Sequence, residues 1–229
     1  MFDENSRYEN FCQEQPLLLK HLRAVIKHNS TKNLTSIKDL DAGKVLHIED
    51  SLAVLPELEE APEGMLADLG SGAGFPGIPL ALVSGRITTL VEANKKKSEF
   101  LRSFIEENAL TGGLTVRACR SEELAVESPQ AYSVVTARAV AELPVLLELS
   151  EPLISPGGYF IALKGKPEAE EIERGNTAAA RVGFEFIKTR KYTLSDGESK
   201  RCVLVYKKAS ESTVKLPRRP GMATKRPLA

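Results

Sequence analysis

The sequence predicts an α/β fold, a doubly wound and mostly parallel sheet closed by an antiparallel edge and preceded by a helical extension. From residue 65 onward, short apolar runs alternate with stretches of helical periodicity. The first of those runs ends in a cluster of glycines that opens a helix. The last two runs, residues 184–188 and 202–206, follow each other without a helix between them, as an edge hairpin does.

In chain order, Leu17, Leu18, Leu19, Leu22, Val25 and Ile26 recur at helical spacing with charges between them. The polar run Asn29-Ser30-Thr31-Lys32-Asn33 ends that helix, and residues 46–58 predict another, stopped at Glu59-Glu60-Ala61-Pro62. Strands are expected at 65–69, 87–91, 114–118, 132–137 and 158–163, and with the closing pair they make seven. Helices are expected at 78–83, at 95–108 with Phe100, Leu101, Phe104 and Ile105 inward, and at 143–149.

With 229 residues and 42 % apolar composition, the chain suits one domain with a modest extension. Its zero net charge is unevenly spread, because residues 186–229 hold twelve Lys and Arg against three Asp and Glu. Such a basic end is either a solvated tail or the contact for a polyanion. Cys12, Cys119 and Cys202 are odd in number and widely spaced, which argues against a disulfide framework or a zinc site. The first sixteen residues carry Asp3, Glu4, Glu9 and Glu14 and no apolar core of a leader, and no apolar run reaches membrane-spanning length. A cytoplasmic protein without a membrane span or metal is the expectation.

The strongest local signal is Asp68-Leu69-Gly70-Ser71-Gly72-Ala73-Gly74-Phe75-Pro76-Gly77. Glycines let a backbone adopt positive φ and approach a ligand closely, and the helix behind them presents unpaired N–H groups. A dinucleotide fingerprint needs a third glycine where Phe75 stands, and a phosphate-binding Gly-Lys-Ser/Thr is absent. An acidic residue followed by G-x-G-x-G is the pattern of class I methyltransferases, whose ligand is S-adenosylmethionine. Glu92, at the end of the second strand, lies where a carboxylate accepts hydrogen bonds from ribose hydroxyls.

The run Gly70 to Ala81 also resembles the first motif of the RsmG family, also called glucose-inhibited division protein B. Further pieces agree in order: Asn33-Leu34-Thr35, His47-Ile48-Glu49-Asp50-Ser51, Val91-Glu92 with Lys96-Lys97, and Arg120-Ser121-Glu122-Glu123. They continue through Ala137-Arg138-Ala139-Val140-Ala141, Lys164-Gly165 and Pro217-Arg218-Arg219-Pro220-Gly221. The resemblance implies a class I, Rossmann-like methyltransferase fold and a methyltransferase acting on guanine N7 of 16S ribosomal RNA or the small ribosomal subunit. It implies that Gly70 and Phe75 meet the cofactor, that Ser121 and Glu122 lie beside its adenine, and that Arg138 completes the pocket. On this reading residues 1–62 are the helical extension, 63–208 the S-adenosylmethionine-binding domain and 209–229 a basic tail.

Guanine N7 has an in-plane lone pair and no proton, so attack on a sulfonium methyl needs placement rather than a general base. No catalytic residue is therefore assigned, and His47 is read as packing or RNA contact before proton acceptor. Arg138 suits either the guanine O6 edge or a phosphate, the alternative being an ion pair with Glu122 or Glu142. Lys95, Lys96 and Lys97 read as a solvated helix start before an RNA contact, whereas Lys164 and Lys166 stand at a strand's carboxyl end, where ligands bind. A methyltransferase for another RNA, a small molecule or a protein shares the fold. A nicotinamide enzyme is disfavoured by Phe75, and a non-enzymatic RNA-binding module by the glycine turn.

Overall fold

A computed structural model describes residues 16–229; the acidic stretch through Glu14, and Cys12, lie outside the described residues. Seven strands form one sheet: β1 (Leu66–Leu69), β2 (Thr88–Val91), β3 (Leu114–Arg117), β4 (Tyr132–Arg138), β5 (Ile154–Lys164), β6 (Phe184–Thr193) and β7 (Lys200–Lys208). Their order is β3-β2-β1-β4-β5-β7-β6. β1 pairs in parallel with β2 and with β4, so chain order reverses beside β1. The reversed strand is β7, antiparallel to both β5 and the edge strand β6. Each expected strand overlaps an observed one, and the hairpin strands run longer than the expected cores.

The alternation of side chains sends residues to two cores. Leu66, Val134, Ile161, Leu163, Val203 and Val205 face one side. That side is covered by α1 (Pro16–Lys32), the segment after it, α5 (Gly77–Ser84) and α6 (Lys95–Glu107). Ala67, Val135, Phe160, Ala162, Leu204 and Tyr206 face the other, under α7 (Ser121–Glu127), α8 (Leu143–Ser150) and α9 (Ala169–Arg181). β1 is buried on both faces, as a central parallel strand must be.

The expected single helix over 46–58 is broken into pieces. α2 (Leu40–Gly43) runs into a π-helical turn at Lys44–Glu49, followed by α3 (Asp50–Leu52) and α4 (Leu55–Glu60). Pro56 lacks the N–H that would continue the ladder. The buried Glu49, Asp50 and Glu57 take partners from the distant β6–β7 hairpin. Among the helices that cover the sheet, α7 and α9 had no expectation at all. α9 buries only Gly175, Ala178 and Ala179, small residues whose periodicity hardly stands out from its charges. A Cβ at Gly175 would lie 2.4 Å from Leu143 Cδ2, so α8 and α9 approach too closely for larger side chains.

Residues 209–229 fold back on the α8 side, with Val214, Leu216, Leu228 and Ala229 packed on that core. Arg218 Nε and Nη2 donate to Glu148 Oε1 and Oε2 at 2.6 and 2.5 Å. This pair ties one cation of the basic end to the fold. Glu148 is 3 % exposed, and Arg218→Ala would leave its carboxylate buried without a cation. Because the arginine itself is partly exposed, we expect a loss of about 2 kcal/mol, below the range for fully buried pairs. Urea denaturation measures it, and an unchanged midpoint would show that the pair contributes nothing.

Candidate functional site

The carboxyl ends of β1 to β4 meet at the reversal of strand order, the position where open α/β sheets bind ligands. Gly70 and Phe75 follow β1, Glu92 follows β2, Ser121 and Glu122 follow β3, and Arg138 ends β4. The topology thus gathers all six expected site residues at one edge of the sheet.

The glycine turn is held from beneath and from the side. Asp68 is fully buried, and its Oδ2 accepts the Gly77 N–H at 3.1 Å while Oδ1 accepts the Thr136 hydroxyl at 3.3 Å. Burial raises its pKa to about 7. Gly77 opens α5 against this carboxyl, and a Cβ there would lie 2.3 Å from Leu90 Cδ2. At Gly72, φ is +59° and a Cβ would meet nothing nearer than the Gly70 carbonyl oxygen at 3.8 Å. The turn is therefore open at this point and closely packed at Gly77.

Glu92 closes the turn's outer side. Its Oε2 accepts the Gly72 N–H at 2.8 Å and its Oε1 accepts the Asn94 N–H at 2.7 Å. A carboxylate has about four acceptor positions, so both oxygens retain capacity for a further donor. Asn94 in turn caps α6 through the Lys97 N–H at 3.2 Å. Lys95 and Lys96 remain exposed at that helix start.

Phe75 is 4 % exposed and clasped between two histidines. His47 stacks on it at 4.5 Å with the rings 6° from parallel, and His21 lies at 4.5 Å on a tilted ring. With its ring so enclosed, the contact Phe75 offers a ligand is its main chain. His21 of α1 hydrogen-bonds the Ala73 carbonyl at 2.8 Å through Nε2, while its Nδ1 is buried without a partner. Burial lowers its pKa to about 4. For His47, burial first and then the Arg138 charge lower the value to about 3. A neutral His47 accepts from Arg138 Nη2 through Nδ1 at 3.3 Å, which leaves Nε2–H to donate to Thr35 Oγ1 at 2.8 Å. Both ring nitrogens of His47 are thus engaged within the protein while its ring packs on Phe75.

Arg138 pairs with neither Glu122 nor Glu142. Its Nη1 donates to Asp50 Oδ2 at 2.9 Å and to the Leu46 carbonyl at 3.2 Å, with the guanidinium 5.8 Å from the Phe75 ring centre. Glu142 is engaged by Arg174 at 3.0 Å. Lys164 is also committed, to Glu171 at 2.6 Å and the Ala141 carbonyl at 2.8 Å, because the unexpected helix α9 brings a carboxylate to it. Lys166 stays exposed.

Ser121 and Glu122 begin α7, and Glu122 Oε2 accepts the Ser121 hydroxyl at 3.2 Å. Glu122 Oε1 accepts the Gly221 N–H at 2.8 Å, so the end of the chain lies against the expected adenine side. Sequence reasoning missed His21, Asp50, Arg201 and Gly221 as parts of this region. Asp50 and Gly221 stood inside quoted runs, whereas nothing near His21 or Arg201 marks them. Among the described residues no group of three or more His, Cys, Asp or Glu is arranged to hold a metal, and no helix is long and apolar enough to cross a membrane. A concavity of about 710 Å³ lined by Leu55, Met65, Arg86 and Ile87 opens at the opposite edge of the sheet and shares no residue with this site.

A family model described as rRNA small subunit methyltransferase G matches residues 14–204. The chain is 38 % identical over 215 residues to the ribosomal RNA small subunit methyltransferase G of Carboxydothermus hydrogenoformans, covering 93 % of this chain and 91 % of that one. It is 37 % identical to the protein of that name from Desulfitobacterium hafniense, covering 89 % and 85 %. Among solved structures, M. jannaschii TYW2 in complex with AdoMet aligns with TM-score 0.54 at 18 % identity, over 73 % of this chain and 78 % of that chain. Geranyl diphosphate C-methyltransferase from Streptomyces coelicolor aligns with TM-score 0.55 at 13 % identity, over 70 % and 76 %. At such identities the two structures establish the fold alone.

Proposed function

The chain belongs to the rRNA small subunit methyltransferase G family, and on that premise we propose that it transfers a methyl group from S-adenosylmethionine to N7 of a guanine in 16S ribosomal RNA. The observation that carries the cofactor half of this reading is Glu92 on the Gly72 N–H beside an open turn. Family membership carries the RNA half. Such a substrate, free or within the small subunit, sets the work in the cytoplasm.

The residues fit the cofactor. Space over Gly72 admits its amino-acid end, the spare acceptor positions of Glu92 suit its ribose, and Ser121 with Glu122 suit the adenine side. Gly70 and Phe75 contribute main chain, and Arg138 closes the pocket above Phe75. When bound, S-adenosylmethionine supplies a methyl group on a positively charged sulfur. Guanine N7 already presents a lone pair, so the protein has no proton to remove. Its contribution is to hold the base in line and exclude water, which orientation alone makes worth several orders of magnitude in rate. Arg138, fixed by three acceptors, presents a cationic edge near the reacting region.

Incubation with methyl-labelled S-adenosylmethionine and small-subunit RNA from a strain lacking the gene tests the proposal. Labelled 7-methylguanosine at one position is the expected product, mapped by borohydride and aniline cleavage. No transfer, or transfer to another atom, would overturn it. In the same assay Glu92→Ala should weaken cofactor binding by about 1.5–3 kcal/mol, the range for hydrogen bonds to a charged group. Affinity within twofold of the parent protein would remove Glu92 from the ribose.

A further inference from the structure

Asp50, from the His47-Ile48-Glu49-Asp50-Ser51 run, is 4 % exposed and carries two guanidinium groups. Its Oδ2 accepts from Arg138 Nη1 at 2.9 Å and its Oδ1 from Arg201 Nε at 2.8 Å. The register explains the meeting. Arg138 on β4 is aligned with Leu163 on β5, and Leu163 with Val203 on β7. β7 runs antiparallel, so Arg201 stands two residues nearer the carboxyl edge than Val203 and on the same face. Two cations on one carboxylate leave a surplus positive charge at the mouth of the site.

The two arginines are not equivalent. Arg138 is held by Asp50, the Leu46 carbonyl and His47, over the Phe75 ring, so its position is set by the protein. Arg201 uses Nε on Asp50 and Nη1 on the Lys200 carbonyl at 3.1 Å, and among the described residues its Nη2 has no acceptor. Its side chain is 21 % exposed. Three other cations of this face have carboxylates of their own, Arg190 with Glu57, Lys188 with Glu60 and Lys164 with Glu171, whereas Lys166, Lys191 and Lys200 are exposed lysines on flexible stems. Of the further carboxylates, Asp196 is near enough to feel the Arg201 charge, although its Oδ1 is taken by the backbone N–H groups of Glu198 and Ser199. Glu49 accepts both the N–H and hydroxyl of Ser195.

We propose that Arg201 binds a phosphate of the RNA substrate and that Asp50 is the positioning residue that aims Arg201 and Arg138 together at the opening. This rests on the reading of the chain as an rRNA methyltransferase. A planar guanidinium with a free edge, oriented through Nε, matches a phosphate better than a mobile lysine does, because its donors are already fixed in direction. The cofactor lies on the other side of Arg138, against the glycine turn, so Arg201 contributes to RNA affinity and not to cofactor affinity.

The test compares the parent protein with Arg201→Gln, Arg201→Lys and Asp50→Asn. RNA affinity is read across salt concentrations, S-adenosylmethionine affinity by calorimetry, and folding by thermal melting. One lost phosphate contact changes the slope of log K against log salt by about 0.7–0.9, which is roughly fourfold in affinity at 0.15 M salt. Arg201→Gln should show that loss with cofactor affinity unchanged. Arg201→Lys should restore the slope while recovering only part of the affinity. Asp50→Asn should lower kcat as well, since Arg138 loses its anchor; if that variant fails to fold, the Arg201 pair decides alone. An active parent protein with unchanged RNA affinity and slope in Arg201→Gln overturns this inference only. So does a loss confined to melting temperature, which marks a structural role, or a tenfold loss of cofactor affinity, which assigns Arg201 to the cofactor. A parent protein that methylates no RNA overturns the functional reading and this inference with it.

Discussion

Replacing Gly72 by valine should abolish S-adenosylmethionine binding and methyl transfer while leaving the chain folded. Gly72 sits at φ +59°, a region unfavourable to a β-branched residue, with a strain cost of about 1–3 kcal/mol. That cost is tolerable for a domain of ordinary stability. A Cβ would have room, since the nearest atom lies 3.8 Å away, but the two γ-methyls would project into the open turn beside Glu92. On the proposed function, the cofactor's amino-acid end needs that space. Calorimetric titration should show no binding heat, and the far-ultraviolet circular dichroism should match the parent protein. Gly72→Ala separates strain from occlusion, because it carries the positive-φ penalty without γ-methyls and should retain measurable binding. Valine at this position with affinity within threefold of the parent would remove the turn from the cofactor site.

The turn itself was plain in the sequence because its physics is local. Glycines at positive φ, an acidic residue before them and a helix after them lie within ten consecutive positions, from Asp68 to Gly77. The seven strands were likewise legible, since buried parallel strands are apolar runs whatever their neighbours. What the sequence hides is long-range pairing of charge. Arg218 meets Glu148 across 70 positions and Arg201 meets Asp50 across 151, so a basic segment that reads as one patch is divided by the fold. Some of its cations are internal struts, and others, such as Arg219 and Lys225, remain exposed. The broken helix after α1 was hidden for the same reason. Its buried Glu49, Asp50 and Glu57 look like the polar face of an ordinary helix until the hairpin that satisfies them is in place.

Lowering the pH from 6.5 to 4 should remove about 3 kcal/mol of stability, through three buried groups around the glycine turn. His21 and His47 have folded pKa values of about 4 and about 3 against 6.5 in the unfolded chain. Each therefore contributes stability that is present above pH 6.5 and is lost as pH falls toward its folded value, because the unfolded chain takes up the proton first. Asp68 acts in the opposite sense. Its folded value of about 7 lies above the unfolded 3.8, so the fold keeps a proton that the unfolded chain releases, and its contribution falls as pH rises through that window. Between pH 4 and 6.5 unfolding takes up two protons at the histidines and releases one from Asp68. The balance is one proton, worth about 1.4 kcal/mol per pH unit. Urea midpoints at pH 6.5, 5.5 and 4.5 measure that slope. His47→Gln removes one uptake site, so its stability should be nearly flat across the window, while Asp68→Asn removes the release and should double the slope. If His47→Gln and Asp68→Asn shift the slope in the same direction, the buried histidines and carboxyl do not govern acid sensitivity. Opposite shifts would place the proton balance at the enclosure of Phe75 and the floor of the turn.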